Sequence, residues 1–439
     1  MFAHKLAVGG ITAGLILGGW GVATRDGGGS DPAVADPIAT IGVLEPDHGL
    51  VPIDEVVSLW RERADARPLD YLSRTQLGMA LTSRARERAD LTGYEDAEAE
   101  LRDALAVNPQ YTSAQLALAS ALVAQHEFAD ARSLAESIHE QDGSPGALAL
   151  VGDTSLELGD YERAAMVYDD LAATERSAPI LSRLARLHSV QGDPDSAVRL
   201  STEALAASRS LALRPSGAAF YHFQLGHFLF AAGDTDGAIA ALEDARTVHP
   251  GNPGASEELA FVYASVGRTA DAAELYEQLL ARGPAADLHG LYADLLDTTG
   301  DTAGAAEQER LGAALAAETI DRFPAERRHL AGYFATRDPA TAVALAEADV
   351  SARHDVGAYD ALAWALHNDG QHEAAADAAT AALAQGTRDA SFLYHAAAIA
   401  AATGDVETAR SQLLEVQEIN PMFHPTEGPA AAALLDELS

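Results

Sequence analysis

Apolar and small residues recur along this chain in short helical stripes that break at regular intervals. The stretch from Pro253 to Pro284 shows the unit. Leu259, Ala260 and Tyr263 fall on one face of a first helix, and Gly267 ends it. Ala272, Tyr276, Leu279 and Leu280 form the face of a second helix, which Pro284 closes. Neither helix is long enough to be stable alone in water. Each needs a neighbour on its apolar side, and the chain supplies one about every 34 residues.

The spacing is carried by alanines at matching points of each second helix. These are Ala97, Ala131, Ala164, Ala197, Ala238, Ala272, Ala305, Ala342, Ala375 and Ala409. Successive members are 33 or 34 residues apart, except for steps of 41 after Ala197 and 37 after Ala305. A recurrent small residue lets two helices approach closely, where a larger side chain would hold them apart.

Around this register the motif resembles the tetratricopeptide repeat, a helix–turn–helix unit that stacks into a solenoid. It does so through Gly152, Gly159, Tyr161, Ala164 and Tyr168, and through Leu225, Gly226, Gly233, Ala238 and Pro250. Leu362, Ala363, Gly370 and Ala375 repeat the pattern, as do Leu393, Ala397, Gly404, Ala409, Leu413 and Pro421. His126 and Arg337 stand where turn glycines are expected. The resemblance implies an all-α, right-handed α-solenoid of about ten repeats. Its array spans residues 69–426, after a leading helix at 53–68 with Val56, Val57 and Trp60 inward, and a capping helix at 427–439 closes it.

Three repeats depart from the period. Gly78 lies far ahead of Tyr94, which predicts a first helix about two turns longer, through RARERAD. ASRSLALRPSGAA inserts within the 41-residue step, and Glu307 to Arg322 prolongs a second helix by about two turns.

The start of the chain has another character. Lys5 precedes an apolar run over residues 6–23, and a flexible polar stretch follows. Eighteen helical residues reach about 27 Å, slightly short of a hydrocarbon core of about 30 Å. Six glycines weaken the run as a span, and Gly21 and Ala23 are the small residues a signal peptidase accepts. Residues 1–30 therefore read as a signal peptide or an N-terminal membrane anchor, and residues 31–52 as a linker. Either way the repeats are expected outside the cytoplasmic membrane, secreted, periplasmic or anchored, with membrane contact only through residues 6–23 if uncleaved.

Charge narrows the partners. The chain carries 66 acidic against 29 basic residues, a formal net charge of −37, and Lys5 is its one lysine. A nucleic-acid binder needs a basic surface, so this class is set aside. The acidity has two readings, a well-solvated surface or adaptation to high salt. Cysteine is absent, which removes disulfides and Cys-ligated zinc.

No catalytic spacing stands out: no Gly-rich loop with a following Lys, no HExxH and no GxSxG. Asp234, Asp236 and Glu243 imitate part of a calcium loop, but Ala232 occupies its first ligand position, and the aspartates suit a helix cap instead. His367 and His372 flank a turn without a visible third ligand. No cofactor or metal is expected.

The helix around Phe220–Phe230 is unusually aromatic. His222, Leu225, Gly226 and Leu229 match the core stripe of the family. Phe220, Phe223, His227 and Phe230 form a second stripe, which by resemblance faces the concave surface where such proteins hold peptides. The same positions elsewhere yield Arg186, Glu257, Phe261, Asp294, Asp297, Asp360, Trp364 and Tyr394. Packing against a neighbouring helix is the other reading of the aromatics. The lysine-bearing clamp with which some relatives grip a carboxylate terminus has no counterpart here. The expected function is an exported, non-enzymatic scaffold that binds a protein or peptide, with basic and apolar residues suited to an acidic, aromatic groove. A membrane-anchored accessory subunit and an enzyme with a hidden site are the alternatives.

Overall fold

The computed structural model describes residues 51–88, 90–211, 213–323 and 326–439. The expectations for residues 1–30 and for the linker up to residue 50 lie outside them. Helix α1 (Ile53–Ala66) leads, with Val57 and Trp60 buried. Ten helix pairs follow. The first four are α2 (Tyr71–Arg88) with α3 (Leu91–Val107), α4 (Thr112–Ala124) with α5 (Phe128–Asp142), α6 (Pro145–Glu157) with α7 (Tyr161–Thr174), and α8 (Ala178–Val190) with α9 (Pro194–Ser208). The next three are α10 (Pro215–Ala231) with α11 (Thr235–Val248), α12 (Pro253–Ser265) with α13 (Thr269–Arg282), and α14 (Ala286–Thr299) with α15 (Thr302–Arg322). The last three are α16 (Arg327–Phe334) with α17 (Pro339–Ala352), α18 (Val356–Asn368) with α19 (His372–Ala382), and α20 (Ala390–Thr403) with α21 (Val406–Ile419). Helix α22 (Glu427–Glu437) caps the array. The whole is an all-α, right-handed solenoid.

Local chemistry sets the joints. Five turns read Gly-Asp, at 159–160, 192–193, 233–234, 300–301 and 404–405. The glycine takes a left-handed backbone, with φ of +76° at Gly192, which few other residues tolerate. The aspartate then caps the second helix; Asp193, for instance, accepts from the Ser196 amide at 3.0 Å. Each such cap contributes about 1 kcal/mol. Between the helices, all ten register alanines are at most 2% exposed. The extended elements are real: α2 has 18 residues and α15 has 21, against 13 or 14 for most of their counterparts. The 41-residue step is absorbed by the loop after Ser208 and by α10, which has 17 residues.

The superhelix is wound so tightly that its second turn rests on its first. The Tyr161 hydroxyl accepts from the Val356 amide at 2.7 Å. Thr387 Oγ1 donates to the Val190 carbonyl at 2.7 Å, and Asn420 Nδ2 to the Phe230 carbonyl at 2.7 Å. These partners are 195, 197 and 190 residues apart, so about six repeats complete one turn. At this seam the turn glycines Gly159, Gly192 and Gly233 sit against the carbonyls of His354, Gly386 and Ile419, and a methyl group on any of them would overlap those oxygens. The turn glycines Gly267, Gly300, Gly370 and Gly404, away from the seam, have open space at that point.

Candidate functional site

First helices of successive repeats carry polar partners about one repeat apart. Arg183 forks onto Asp153, with Nε and Nη2 each 2.8 Å from a carboxylate oxygen, and the Tyr168 hydroxyl donates to the same carboxylate at 2.9 Å. Burial and that carboxylate push the Tyr168 phenol well above its usual range. Arg186 donates to Glu157 at 2.5 Å. Gln224 donates to the Ser182 carbonyl at 3.2 Å, and His227 Nδ1 lies 3.2 Å from Glu258. Fully buried charges are tolerated only when paired in this way.

In the second turn the pairs become networks. Arg328 binds Asp349 at 2.7 Å and also Asp355, and Arg353 shares Asp349 at 2.7 Å. Arg337 donates to Asp294 at 2.6 Å and to the Gly290 carbonyl at 3.2 Å. Burial raises the Asp294 carboxyl despite this arginine. His395 lies between Asp360, 2.8 Å from Nδ1, and Glu427, 3.4 Å from Nε2. Burial alone would lower its pKa, but the two carboxylates hold it up at about 9. Both ring nitrogens are committed, so the imidazole has none left to act as a general base.

These networks border a cavity of about 320 Å³, lined among others by Asp294, Arg328, Tyr333, Trp364, His424 and Glu427. Two of its lining residues, His424 and Glu427, reach helices beyond it. Phe261 of α12 meets the His424 ring edge-on at 5.2 Å, while Glu427 reaches His395 of α20. The first helices α12 and α20 thus meet the start of the cap, and α14, α16 and α18 line the chamber with it. The chamber is half open and of the size in which small ligands or single side chains are held.

The aromatic stripe expected to face an open groove is roofed over. Phe220, Phe223, His227 and Phe230 are all 5% exposed or less. The Phe230 ring packs edge-on against Phe261 at 6.1 Å, and Phe261 against His424. Asn420 is bonded to the Phe230 carbonyl above them. At the Phe230 end the cover is therefore the chain's own second turn, which a repeat-by-repeat reading does not contain, while His227 is held by Glu258 of the next repeat. His222, Leu225 and Leu229, expected in the core, are only half-buried, while Gly226 does meet the second helix at Leu242.

The other expected inner-face residues divide. Phe261, Trp364 and Tyr394 are buried, with Trp364 stacked on His395 at 4.2 Å and Tyr394 against Phe423 at 5.9 Å. Glu257 and Asp294 are half-buried and Asp297 is exposed. Only Asp294 and Trp364 among them line the chamber. Arg186 and Asp360 are held in the pairs described above. Asp234 caps α11 through the Gly237 amide at 3.0 Å. The His367 and His372 rings lie 4.9 Å apart, and among the described residues no three His, Cys, Asp or Glu side chains converge to hold a metal ion. Nor is any described helix long and apolar enough to cross a membrane.

Arg183, Arg328 and His395 were not singled out from the sequence. Their signal was available, because acid and base recur about one repeat apart at 153 and 183, 157 and 186, and 360 and 395.

Two sequence-family models, both described as Tetratricopeptide repeat, match the chain. One covers residues 94–153 and 229–295, the other residues 182–253. No curated protein matches. Similar solved structures include the APC/C hetero-tetramer Cut9-Hcn1, at 14% identity and a TM-score of 0.34, covering 88% of this chain and 93% of that one. Yeast Tom70 has 12% identity and a TM-score of 0.37, with 88% and 92% covered. MamA has 19% identity and a TM-score of 0.34, covering 39% of this chain and 97% of its own.

Proposed function

Because this chain is a tetratricopeptide-repeat protein, we propose that it is an exported, non-catalytic scaffold that holds a protein or peptide segment at the inner chamber of its second turn. The observation that carries this reading is the chamber itself: a preformed space of about 320 Å³ whose charged walls are fixed by pairs with neighbouring helices. Such a wall is preorganised, so little side-chain entropy is lost on binding. The net charge of −37 favours encounter with a basic partner, an effect that falls as salt screens it. Thr336 and Thr426 line the chamber yet are exposed, so widening either side chain fills the space without disturbing the core. Affinity capture from the source cells with Thr336→Trp and Thr426→Trp should lose the partner while the melting temperature stays within a degree or two. Unchanged capture by both variants would remove the chamber as the binding place.

Export rests on Lys5 and the apolar run at 6–23. The same run favours a second reading, an accessory subunit anchored to a membrane assembly. N-terminal sequencing of the mature protein separates them: a new terminus shortly after Ala23 supports release, and an intact start in the membrane fraction supports anchoring. Full-length protein in the cytosol would refute both.

A further inference from the structure

The cap helix α22 begins in an unusual way. Its N-cap residue, Thr426, makes no side-chain capping bond. His424 supplies the acceptor instead: its Nδ1 receives the backbone N–H groups of Thr426 at 3.2 Å and Glu427 at 3.1 Å, with the Thr426 hydroxyl at 3.1 Å. An amide can only donate, so Nδ1 must be without a proton. His395 is placed in the opposite way, since both of its nitrogens face carboxylates and it serves them best as an imidazolium. One histidine must therefore stay neutral and the other charged for the cap to sit closed. Glu427 links the two, following His424 in the cap and facing His395 on α20.

We propose that the segment from His424 to Glu437 is a proton-operated latch, which closes the chamber near neutral pH and releases it in acid and, more weakly, in alkali. Protonating His424 turns its acceptor into a donor that faces two donors. The charged groups around it are Glu427 on the cap and His395 on α20, with Asp360 of α18 behind. Asp287 and Asp294 of α14, and Arg328, His329 and Arg337 of and just after α16, share the chamber. Phe261 of α12 offers only its ring.

The directions follow from the closed-state values. Burial lowers His424 to about 4, below its ordinary 6.5. The open form therefore takes up the proton first, and closure weakens by close to tenfold per unit midway between 6.5 and 4, and less steeply near either end. Glu427, held below the usual carboxylate range against its burial by the charge of His395, adds to the loss in the same direction. His395, held at about 9, contributes fully below 6.5 and loses its share as pH rises towards 9. It keeps Asp360 when the cap lifts, so the alkaline limb is the shallower one.

Hydrogen exchange of the full chain, read by mass spectrometry and corrected for intrinsic rates, tests this. Peptides from Glu427–Glu437 are compared at pH 5.0, 6.5 and 8.5 with an internal reference over residues 91–142. Protection of the cap should fall about 15-fold between pH 6.5 and 5.0 while the reference holds. His424→Asn keeps a capping acceptor that does not titrate, and should flatten most of the acid limb. His395→Gln should flatten the alkaline one. Protection independent of pH, a cap and reference that loosen together, or an acid limb unchanged in His424→Asn would each overturn the latch. Should either variant fail to fold, the comparison within the unaltered chain still decides.

Discussion

Placing a methyl group at Gly192 asks how strongly the two turns of the superhelix hold each other. Gly192 and Gly267 occupy the same joint in different repeats, with φ of +76° and +75°. Alanine at either must adopt a left-handed backbone, at a cost of about 1–2 kcal/mol. At Gly267 nothing else is met, since open space surrounds that point. At Gly192 the methyl overlaps the Gly386 carbonyl oxygen, so the seam must shift or part. Overpacking of this kind adds about 1–3 kcal/mol. Parting would also release the nearby bond from Thr387 to the Val190 carbonyl, which contributes about 0.5–1.5 kcal/mol. Gly192→Ala should thus lower stability by about 2–5 kcal/mol if the seam shifts and about 2.5–6.5 if it parts, against about 1–2 for Gly267→Ala. Urea midpoints followed by circular dichroism give the comparison, and small-angle scattering shows whether the radius of gyration grows only in Gly192→Ala. A repeat array need not unfold in one step, so the contrast between two matched joints is more telling than either value. Equal midpoints with unchanged scattering would show that the turns merely lie side by side.

Phe223→Ala with Phe230→Ala should cost about 3–5 kcal/mol for each ring, since both are core, and a melting temperature within a few degrees of the parent would contradict their burial. Asp153→Ala strands Arg183 without its carboxylate partner and should cost about 3–5 kcal/mol by chemical denaturation; a loss under 1 would mean the arginine finds water. If the acidity is an adaptation to salt, the melting temperature should climb between low and molar KCl, and a flat response would leave surface solvation as the reading.

What the sequence shows well is everything local. The alanine register, the Gly-Asp joints and the long α2 and α15 are each written within one repeat, where helical periodicity and capping chemistry act on near neighbours. The depth of a first-helix residue is not local. Phe230 occupies a position that an open solenoid would present to solvent, and it is buried where Asn420 returns beside it. That return depends on the curvature accumulated over six repeats, to which each helix pair adds a small rotation. No single unit encodes it visibly. The chamber was half legible for the same reason: Asp294 and Trp364 follow from their positions, whereas His424 enters from the cap.

The charge of the chain takes a different form once the pairs are known. The fully buried acids are Asp153, Glu157, Glu258, Asp349, Asp355 and Asp360, and the buried cations are Arg183, Arg186, Arg328 and Arg353 with His395 beside them. The interior is thus close to neutral, and the excess of acid lies at helix starts and outer faces, where water and ions screen it. Scarce bases suffice inside because they are arginines. A guanidinium offers five donors in a fixed fork, so Arg328 serves both Asp349 and Asp355 through different nitrogens. A lysine offers a single point of charge on a flexible stem and would leave one of two buried carboxylates poorly served. A chain with one lysine in 439 residues can therefore still neutralise its core. The strongly acidic exterior remains free to act on partners at a distance, while the walls of the chamber are set by short, directed bonds.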